Sequence, residues 1–145
     1  MAIITEDYVS FETAKLLKEK GFPQEYDKYH SMVYNENDYE NEYEVKRMVL
    51  ETQIVKAGTL SSYPVGVPEP KCYCCTLQMA IKWLREVHEL YIEITPSSKT
   101  NEFIVDSYRI DIVTRFFDTI YVSSGYNTYE QACEAAIKYC LENLI

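Results

Sequence analysis

Apolar residues recur at helical spacing in three stretches of the chain, and each stretch opens with a hydroxyl residue. The openings are SFETA at 10–14, TLQMA at 76–80 and TYEQA at 128–132. A serine or threonine at the N-cap accepts a hydrogen bond from the first helical turn, and a nearby acidic side chain interacts favourably with the helix dipole. A triplicated ancestral unit would also explain the pattern, but common capping chemistry accounts for it equally well. The openings predict three helices.

The ends and apolar faces of these helices follow from residue spacing. The first helix is predicted from Phe11 to about Lys20, because Gly21 suits the left-handed C′ position and Pro23 blocks continuation. Apolar stripes mark the other two helices. The second stripe contains Leu77, Ala80, Ile81, Leu84 and Val87, with Met79 and Trp83 at its margin, and the third contains Tyr129, Ala132, Cys133, Ala136, Ile137, Cys140 and Leu144.

Between the second and third helices, apolar and polar residues alternate in three segments that begin near 90, 108 and 119. This period of two is typical of strands with one packed face and one wet face. In the last segment, Ile120 and Val122 alternate with Thr119 and Tyr121. Three successive segments of this kind predict an antiparallel meander.

The length of 145 residues favours one domain with one core. Residues 24–70 are harder to assign: Tyr29 to Tyr34 fits a strand, 45–56 fits either a strand or a helix, and 58–70 is an irregular connection. We therefore expect a single α+β domain over 1–145. Its three helices are expected to pack on one side of an antiparallel sheet of three to five strands.

Composition and charge narrow the classes of partner. The chain is 47% hydrophobic and 26% charged, which is typical of soluble globular proteins, and it has 14 tyrosines, which supply rigid contact area with a polar tip. The net charge of −9, spread over both halves, disfavours direct binding to nucleic acid or to an acidic membrane surface. We expect a cytoplasmic protein, since no long apolar run or basic N-terminal region is present.

Five cysteines, an odd number, fit a reducing compartment better than a disulfide framework. Cys72, Cys74 and Cys75 form a CxCC pattern, but structural zinc sites pair two such hooks or one hook with histidines. A site here would need His30 or His88 as an additional ligand. We therefore predict no bound metal and no other cofactor.

Cys74 and Cys75 precede the predicted N-cap of the second helix, where a thiol can have a lowered pKa. A nucleophile of this kind still requires a base. His88 is better explained as a hydrogen-bonded residue at the edge of the core, and Cys133 and Cys140 as inert core thiols. No residue is assigned a catalytic role.

The segment YNENDYENEYE, residues 34–44, contains five acidic residues and no basic one. It lacks the glycine of a calcium-binding loop. The segment is either a solvated loop or an acidic surface that binds a basic protein patch or imitates nucleic acid towards a DNA-binding protein. In the second case, Tyr34, Tyr39 and Tyr43 are the candidate partner-binding residues.

SFETAKLLKEKGF, TLQMAIKWLREVHEL and YNTYEQACEAAIKYCLENLI together resemble a family of small uncharacterised proteins of phages, prophages and mobile elements of gut anaerobic bacteria. The blocks cover about a third of the chain. The family pattern tends to have a proline and small residues before the threonine of TLQMA, where this chain reads CYCC, which argues against a cysteine-based function. The resemblance implies no activity, cofactor or site residue.

The expected function is that of a non-enzymatic accessory protein of a phage or mobile element that acts by protein–protein interaction. The alternatives are a virion structural or assembly component, and an enzyme of unrecognised chemistry that uses the thiol of Cys74 or Cys75. Sequence alone leaves the partner and the oligomeric state open.

Overall fold

The computed structural model of the protein describes residues 4, 6–24, 32–35, 49–50, 71–100 and 103–145. The chain divides into two compact units. One comprises Ser10–Cys75, and the other comprises Met1–Val9 together with Thr76–Ile145. The prediction of a single domain, made from chain length, stays a prediction.

The unit Ser10–Cys75 contains one described helix and three described strands. These are α1 (Phe11–Glu19), β1 (Met32–Asn35), β2 (Val49–Leu50) and β3 (Lys71–Tyr73). The strands form an antiparallel sheet in the order β2-β1-β3, and α1 packs against β3. The strand predicted near Tyr34 is therefore present as β1.

The ends of α1 are fixed by local hydrogen bonds. The Ser10 hydroxyl accepts a bond of 3.3 Å from the backbone N–H of Thr13. At the other end, Phe22 N–H donates to Leu17 C=O at 2.9 Å while Gly21 adopts a φ of 93°. This pair of features is a Schellman termination, in which glycine takes the left-handed position at little cost. The predicted start and end of the first helix are confirmed.

The second unit is an antiparallel meander with two helices packed on it. It contains α2 (Leu77–His88), β4 (Leu90–Ser97), β5 (Ser107–Thr114), β6 (Thr119–Tyr126) and α3 (Tyr129–Asn143). The strand order is β4-β5-β6; α2 contacts β4, and α3 contacts all three strands. The Thr76 and Thr128 hydroxyls cap α2 and α3, each accepting a backbone N–H at 3.1 Å. The predicted meander and both predicted N-caps are confirmed.

The core of this unit lies between the helices and one face of the sheet. Ile110 and Ile112 of β5 are completely buried. Val87, which the apolar stripe of α2 predicted to be buried, is instead exposed; since α2 ends at His88, its last turn lies at the margin of the buried surface. The helical residues that are buried in this unit are Leu77, Ala80, Ile81 and Leu84 of α2 and Ala132, Cys133, Ala136, Ile137, Cys140 and Leu141 of α3.

Three helices and antiparallel sheets make the described chain α+β, as predicted. The structure adds a second short sheet, in the unit that contains α1. Among the described residues, none of the helices has both the length and the apolar character needed to span a bilayer.

Candidate interaction surface

α3 covers one face of the β4–β6 sheet, and no described element of this unit covers the other, which we call the open face. Two ring contacts identify the covered face: Tyr121 of β6 stacks on Tyr139 of α3 with centroids 3.6 Å apart, and Tyr108 of β5 meets Tyr129 of α3 edge-on at 6.0 Å. Residues directly opposite each other in an antiparallel sheet share a face. Ile112, the register partner of Tyr121, therefore also lies on the covered face.

β6 packs a tyrosine, rather than its aliphatic residues, against α3. Tyr121 faces α3, whereas Ile120 and Val122 remain 41% and 47% exposed. A register shift between Ile112 and Val113 leaves Ile120 without a direct partner on β5. The tyrosine ring fills the space below α3 with more stacked area than valine could supply, which accounts for this orientation.

The open face therefore carries exposed apolar residues. We call Tyr91, Val113 and Val122 of this face, together with the exposed Ile120 at the bulge beside them, the open-face patch. Tyr91 and Val113 are register partners, and Tyr91 is 39% exposed. Contiguous apolar side chains on the surface of a protein commonly mark an interaction site. Sequence reasoning missed this patch because alternation along β6 does not show which face of the strand is packed.

The turn between β5 and β6 adds two phenylalanines next to the open-face patch. Phe116 is 74% exposed and Phe117 is 91% exposed. Phe117 has a φ of 64°, a left-handed conformation that a bulky side chain rarely adopts and glycine adopts freely. Its N–H donates to Thr114 C=O at 3.0 Å, so the turn is hydrogen-bonded as well as strained. The adjacent pair Phe-Phe before an aspartate, in a loop between two predicted strands, was the sequence signal for this site.

An ion pair next to Phe116 orders the same turn. The Arg115 guanidinium binds the Glu89 carboxylate at 2.9 Å and lies 5.3 Å from the centre of the Phe116 ring. Glu89 is itself the left-handed C-cap of α2, with a φ of 56°. The contacts of Arg115 thus connect the exposed turn to the end of a helix. Because both charged groups are exposed, the pair contributes geometry more than stability.

The row of the open face that includes Val122 is charged, since Val122 is the register partner of Asp111. Glu93 and Asp111 are direct register partners, so two carboxylates face each other across β4 and β5. Arg109 compensates one of them, with two 3.0 Å bonds to the Asp111 carboxylate. The hydrogen bond to Asp111 raises the pKa of the Arg109 guanidinium above its ordinary value. Glu93 forms no ion pair with the described residues, which leaves one negative charge beside the patch.

The five cysteines are thiols, and all five are buried. In α3, burial raises the pKa of Cys133 to about 11 and that of Cys140 to about 12, so both stay protonated at neutral pH. This agrees with their interpretation as core thiols. Cys74 and Cys75 are also buried, which gives neither sulfur the accessibility typical of a reactive cysteine. Within the described ranges, no three His, Cys, Asp or Glu residues are arranged to hold a metal ion.

His88 differs in one respect from the prediction. Its ring meets the Trp83 indole edge-on at 4.6 Å, as a residue at the edge of the core would. The Nε2 atom, however, is buried and has no hydrogen-bond partner. The expectation that His88 is fully hydrogen-bonded was therefore wrong at this atom, because the aromatic neighbour offers a ring surface rather than a conventional acceptor.

A cleft of about 300 Å³ lies where the N-terminal ends of α2 and α3 come together. Burial raises the pKa of the Tyr129 phenol above its ordinary value. Two helix N-termini would favour an anion, but Glu6, Asp7 and Glu130 also line the cleft and oppose one. The cleft is therefore not suited to a phosphate or carboxylate ligand.

The structure describes one of the three partner-binding residues predicted from sequence. Tyr34 belongs to β1, where its backbone pairs with Cys72. Tyr39 and Tyr43 lie outside the described residues. Their role in binding stays a prediction.

No protein-family model, curated protein or solved structure matches the chain. The basis for a functional assignment is therefore the surface itself.

Proposed function

We propose that the protein is a non-enzymatic accessory protein that acts by binding another protein through the open-face patch and the phenylalanines of the β5–β6 turn. The observation that carries the proposal is Phe117. Its side chain is almost wholly exposed while its backbone is held in a conformation that costs a bulky residue roughly 1–2 kcal/mol. Glycine would remove the strain without loss of a core contact. An exposed aromatic retained at a strained position fits a binding surface.

The charges around the patch favour a basic partner. The chain carries a net charge of −9, and Glu93 adds a carboxylate without an ion pair among the described residues. A lysine or arginine of the partner placed over Glu93 and Asp111 would relieve the repulsion between these two acids. Apolar anchors of the same partner would cover Val122 and the turn phenylalanines. Aromatic anchors typically carry most of the affinity at such an interface, while the charges set the rate of association.

The resemblance to proteins of phages and mobile elements supports an accessory role for this interaction. The acidic tyrosine segment at 34–44 belongs to the same proposal as a second contact region, because its charge would attract the same class of basic partner. The two regions can be tested separately, since they lie in different units of the chain.

The test compares full-length variants as bait for partner capture from host lysate, followed by affinity measurement with the purified partner. Phe117→Gly removes the aromatic side chain while relaxing the turn, and Phe103→Gly is the matched control, because Phe103 is an equally exposed phenylalanine in the β4–β5 connection. A specific partner retained by wild type and Phe103→Gly but lost on Phe117→Gly and Val122→Lys supports the proposal. Capture that neither Phe117→Gly nor Val122→Lys weakens would overturn it.

Two further measurements test whether the tyrosine segment takes part in binding and whether the partner is basic. Changing Tyr34, Tyr39 and Tyr43 to alanine should weaken binding more than neutralising Glu36, Glu40 and Glu42 if the tyrosine segment is also an anchor. Affinity should fall as salt rises through the physiological range, where the Debye length is about 8 Å. An affinity that is independent of salt would exclude the basic partner while leaving the apolar contact intact.

A further inference from the structure

Among the described strands, β6 is an edge strand with one unpaired side. In the described sheet it pairs only with β5, and most of its residues are exposed. Register shifts occur near its two ends, opposite Ile112/Val113 and Tyr108/Arg109, and the centre from Tyr121 to Ser124 is regular. This centre presents backbone N–H and C=O groups that a further strand can pair with.

The edge lacks two of the features that usually prevent such pairing, charge and proline, and its bulges lie near the ends of the strand. Its sequence, TIYVSSGY, contains no charged residue and no proline. β4, the opposite edge of the same sheet, carries both a charge, Glu93, and a proline, Pro96. Edges without charge or proline are the ones at which strands of separate chains associate. The difference between the two edges points to β6 as the strand that acquires a partner.

The surroundings of β6 are complementary to a second copy of the same strand in antiparallel orientation. Asp118 immediately precedes β6, and Asn127 follows it. The Lys99 ammonium donates a hydrogen bond to the Asn127 side chain, which holds a positive charge at the C-terminal end of the strand. Antiparallel pairing brings the N-terminal end of one copy to the C-terminal end of the other. Each Asp118 would then lie beside the Lys99 of the second copy, twice in the assembly.

The face on which each β6 side chain lies limits which residues of the two β6 strands can lie opposite each other. Tyr121 and Ser123 share the covered face, because their partners on β5 are Ile112 and Ile110, and Val122 lies on the open face between them. Residues that lie opposite each other in paired strands must share a face of the sheet. A register centred on Val122 meets this condition. In it, Val122 lies opposite Val122 of the second copy, and Tyr121 lies opposite Ser123. This register places Asp118 opposite Tyr126, one residue from Asn127.

We propose that two copies of the chain associate through antiparallel pairing of β6 with β6, which joins the two meanders into a six-stranded sheet. The strands that meet are uncharged, and the Lys99 ammonium of one copy lies near Asp118 of the other. Asp106, whose carboxylate accepts from the Lys99 N–H at 2.8 Å, adds a negative charge at the same end, so the opposite charges offset part of the repulsion between two chains of net charge −9. The pairing leaves both open faces exposed and brings the two open-face patches side by side. A partner with two equivalent sites would then gain affinity from simultaneous contact.

The first test is charge reversal at the strand ends, with the dimer dissociation constant measured by sedimentation velocity at physiological salt. Asp118→Lys and Lys99→Glu should each raise the dimer dissociation constant by about tenfold or more. The dimer has two contacts between residues 118 and 99, and each change puts two charges of the same sign at both of them. The double variant Asp118→Lys with Lys99→Glu should restore the affinity. Glu86→Lys on α2 is the matched control for net charge and should leave the dimer unchanged. Circular dichroism verifies the fold of each variant.

The second test is cross-linking at position 122, which lies opposite its own copy in the proposed register. Val122→Cys should form a disulfide-linked dimer under mild oxidation, whereas Tyr91→Cys, equally exposed on the same face, should not. A wild-type chain that is monomeric at all accessible concentrations overturns the proposal. So does a dimer that is indifferent to both charge reversals, since it would use another surface. A monomer that still captures the basic partner through Phe117 would leave the proposed function intact, so the two proposals fail separately.

Discussion

The two faces of the β4–β6 sheet are made by the same three strands, yet apolar residues are buried on one face and exposed on the other. On the covered face, Ile110 and Ile112 are completely buried below α3, and Tyr121 stacks on a helical ring. On the open face, Val122 and its neighbours are left in contact with water beside an ion pair. The comparison teaches that hydrophobicity on the covered face stabilises the fold, whereas hydrophobicity on the open face does little for it. The following predictions test that division.

The largest contrast is expected between Ile110→Ala and Val122→Ala. Ile110 is fully buried, so its truncation removes apolar contact and leaves a cavity, at a cost of about 2–5 kcal/mol in the free energy of unfolding. Val122 is exposed, and its truncation should change that free energy by less than about 0.5 kcal/mol. Urea denaturation of both variants measures the difference. Equal losses would mean that the open face is also part of the core.

The thiols below the covered face should make the fold sensitive to alkali. Their pKa values in the folded chain, about 11 for Cys133 and about 12 for Cys140, lie above the ordinary value of 9.0. A raised folded pKa gives stability that is complete below pH 9 and is lost as the pH rises towards the folded value, by up to about 1.4 kcal/mol per pH unit for each thiol. Cys140→Ala should reduce this slope between pH 9 and 10. An unchanged slope would assign the loss to other groups.

Truncating an exposed side chain in the β5–β6 turn should raise the stability of the fold, whereas truncating a core residue lowers it. Phe117→Gly removes a left-handed backbone strain, and the fold should become more stable by about 1 kcal/mol. Partner binding should weaken in the same variant. Thermal denaturation and affinity measurement on one preparation give both quantities. A destabilised Phe117→Gly would show that the ring packs within the fold, which contradicts its assignment to a binding surface.

The smallest effect on stability is expected at the Arg109–Asp111 ion pair of the open face. The Arg109–Asp111 pair is well formed, but it is exposed, so Arg109→Gln should lower stability only slightly. The deficit should disappear at high salt, because screening removes the attraction. Comparing denaturation midpoints at low and high salt measures this. A loss that persists at high salt would mean that the guanidinium contributes packing as well as charge.

The sequence predicted the helices of this protein better than its surface. Each helix start was predicted from a single hydroxyl residue, and the structure shows the corresponding capping bond at Ser10, Thr76 and Thr128. The meander also followed from alternation alone. The open-face patch did not, because the same alternation is compatible with either face being packed. The exposed turn was present in the sequence as adjacent phenylalanines, but composition alone does not indicate whether such residues are buried.

What the sequence determined by itself is therefore local. A cap hydroxyl bonds to an N–H three residues away, and Gly21 ends α1 through bonds to the preceding turn, so neighbouring residues are sufficient to specify both. Tertiary structure decided which side of β6 meets α3. A strand has two faces of equal backbone geometry, and the choice between Tyr121 and Val122 depends on Tyr139, a ring that lies on a different element and stacks only once the chain has folded.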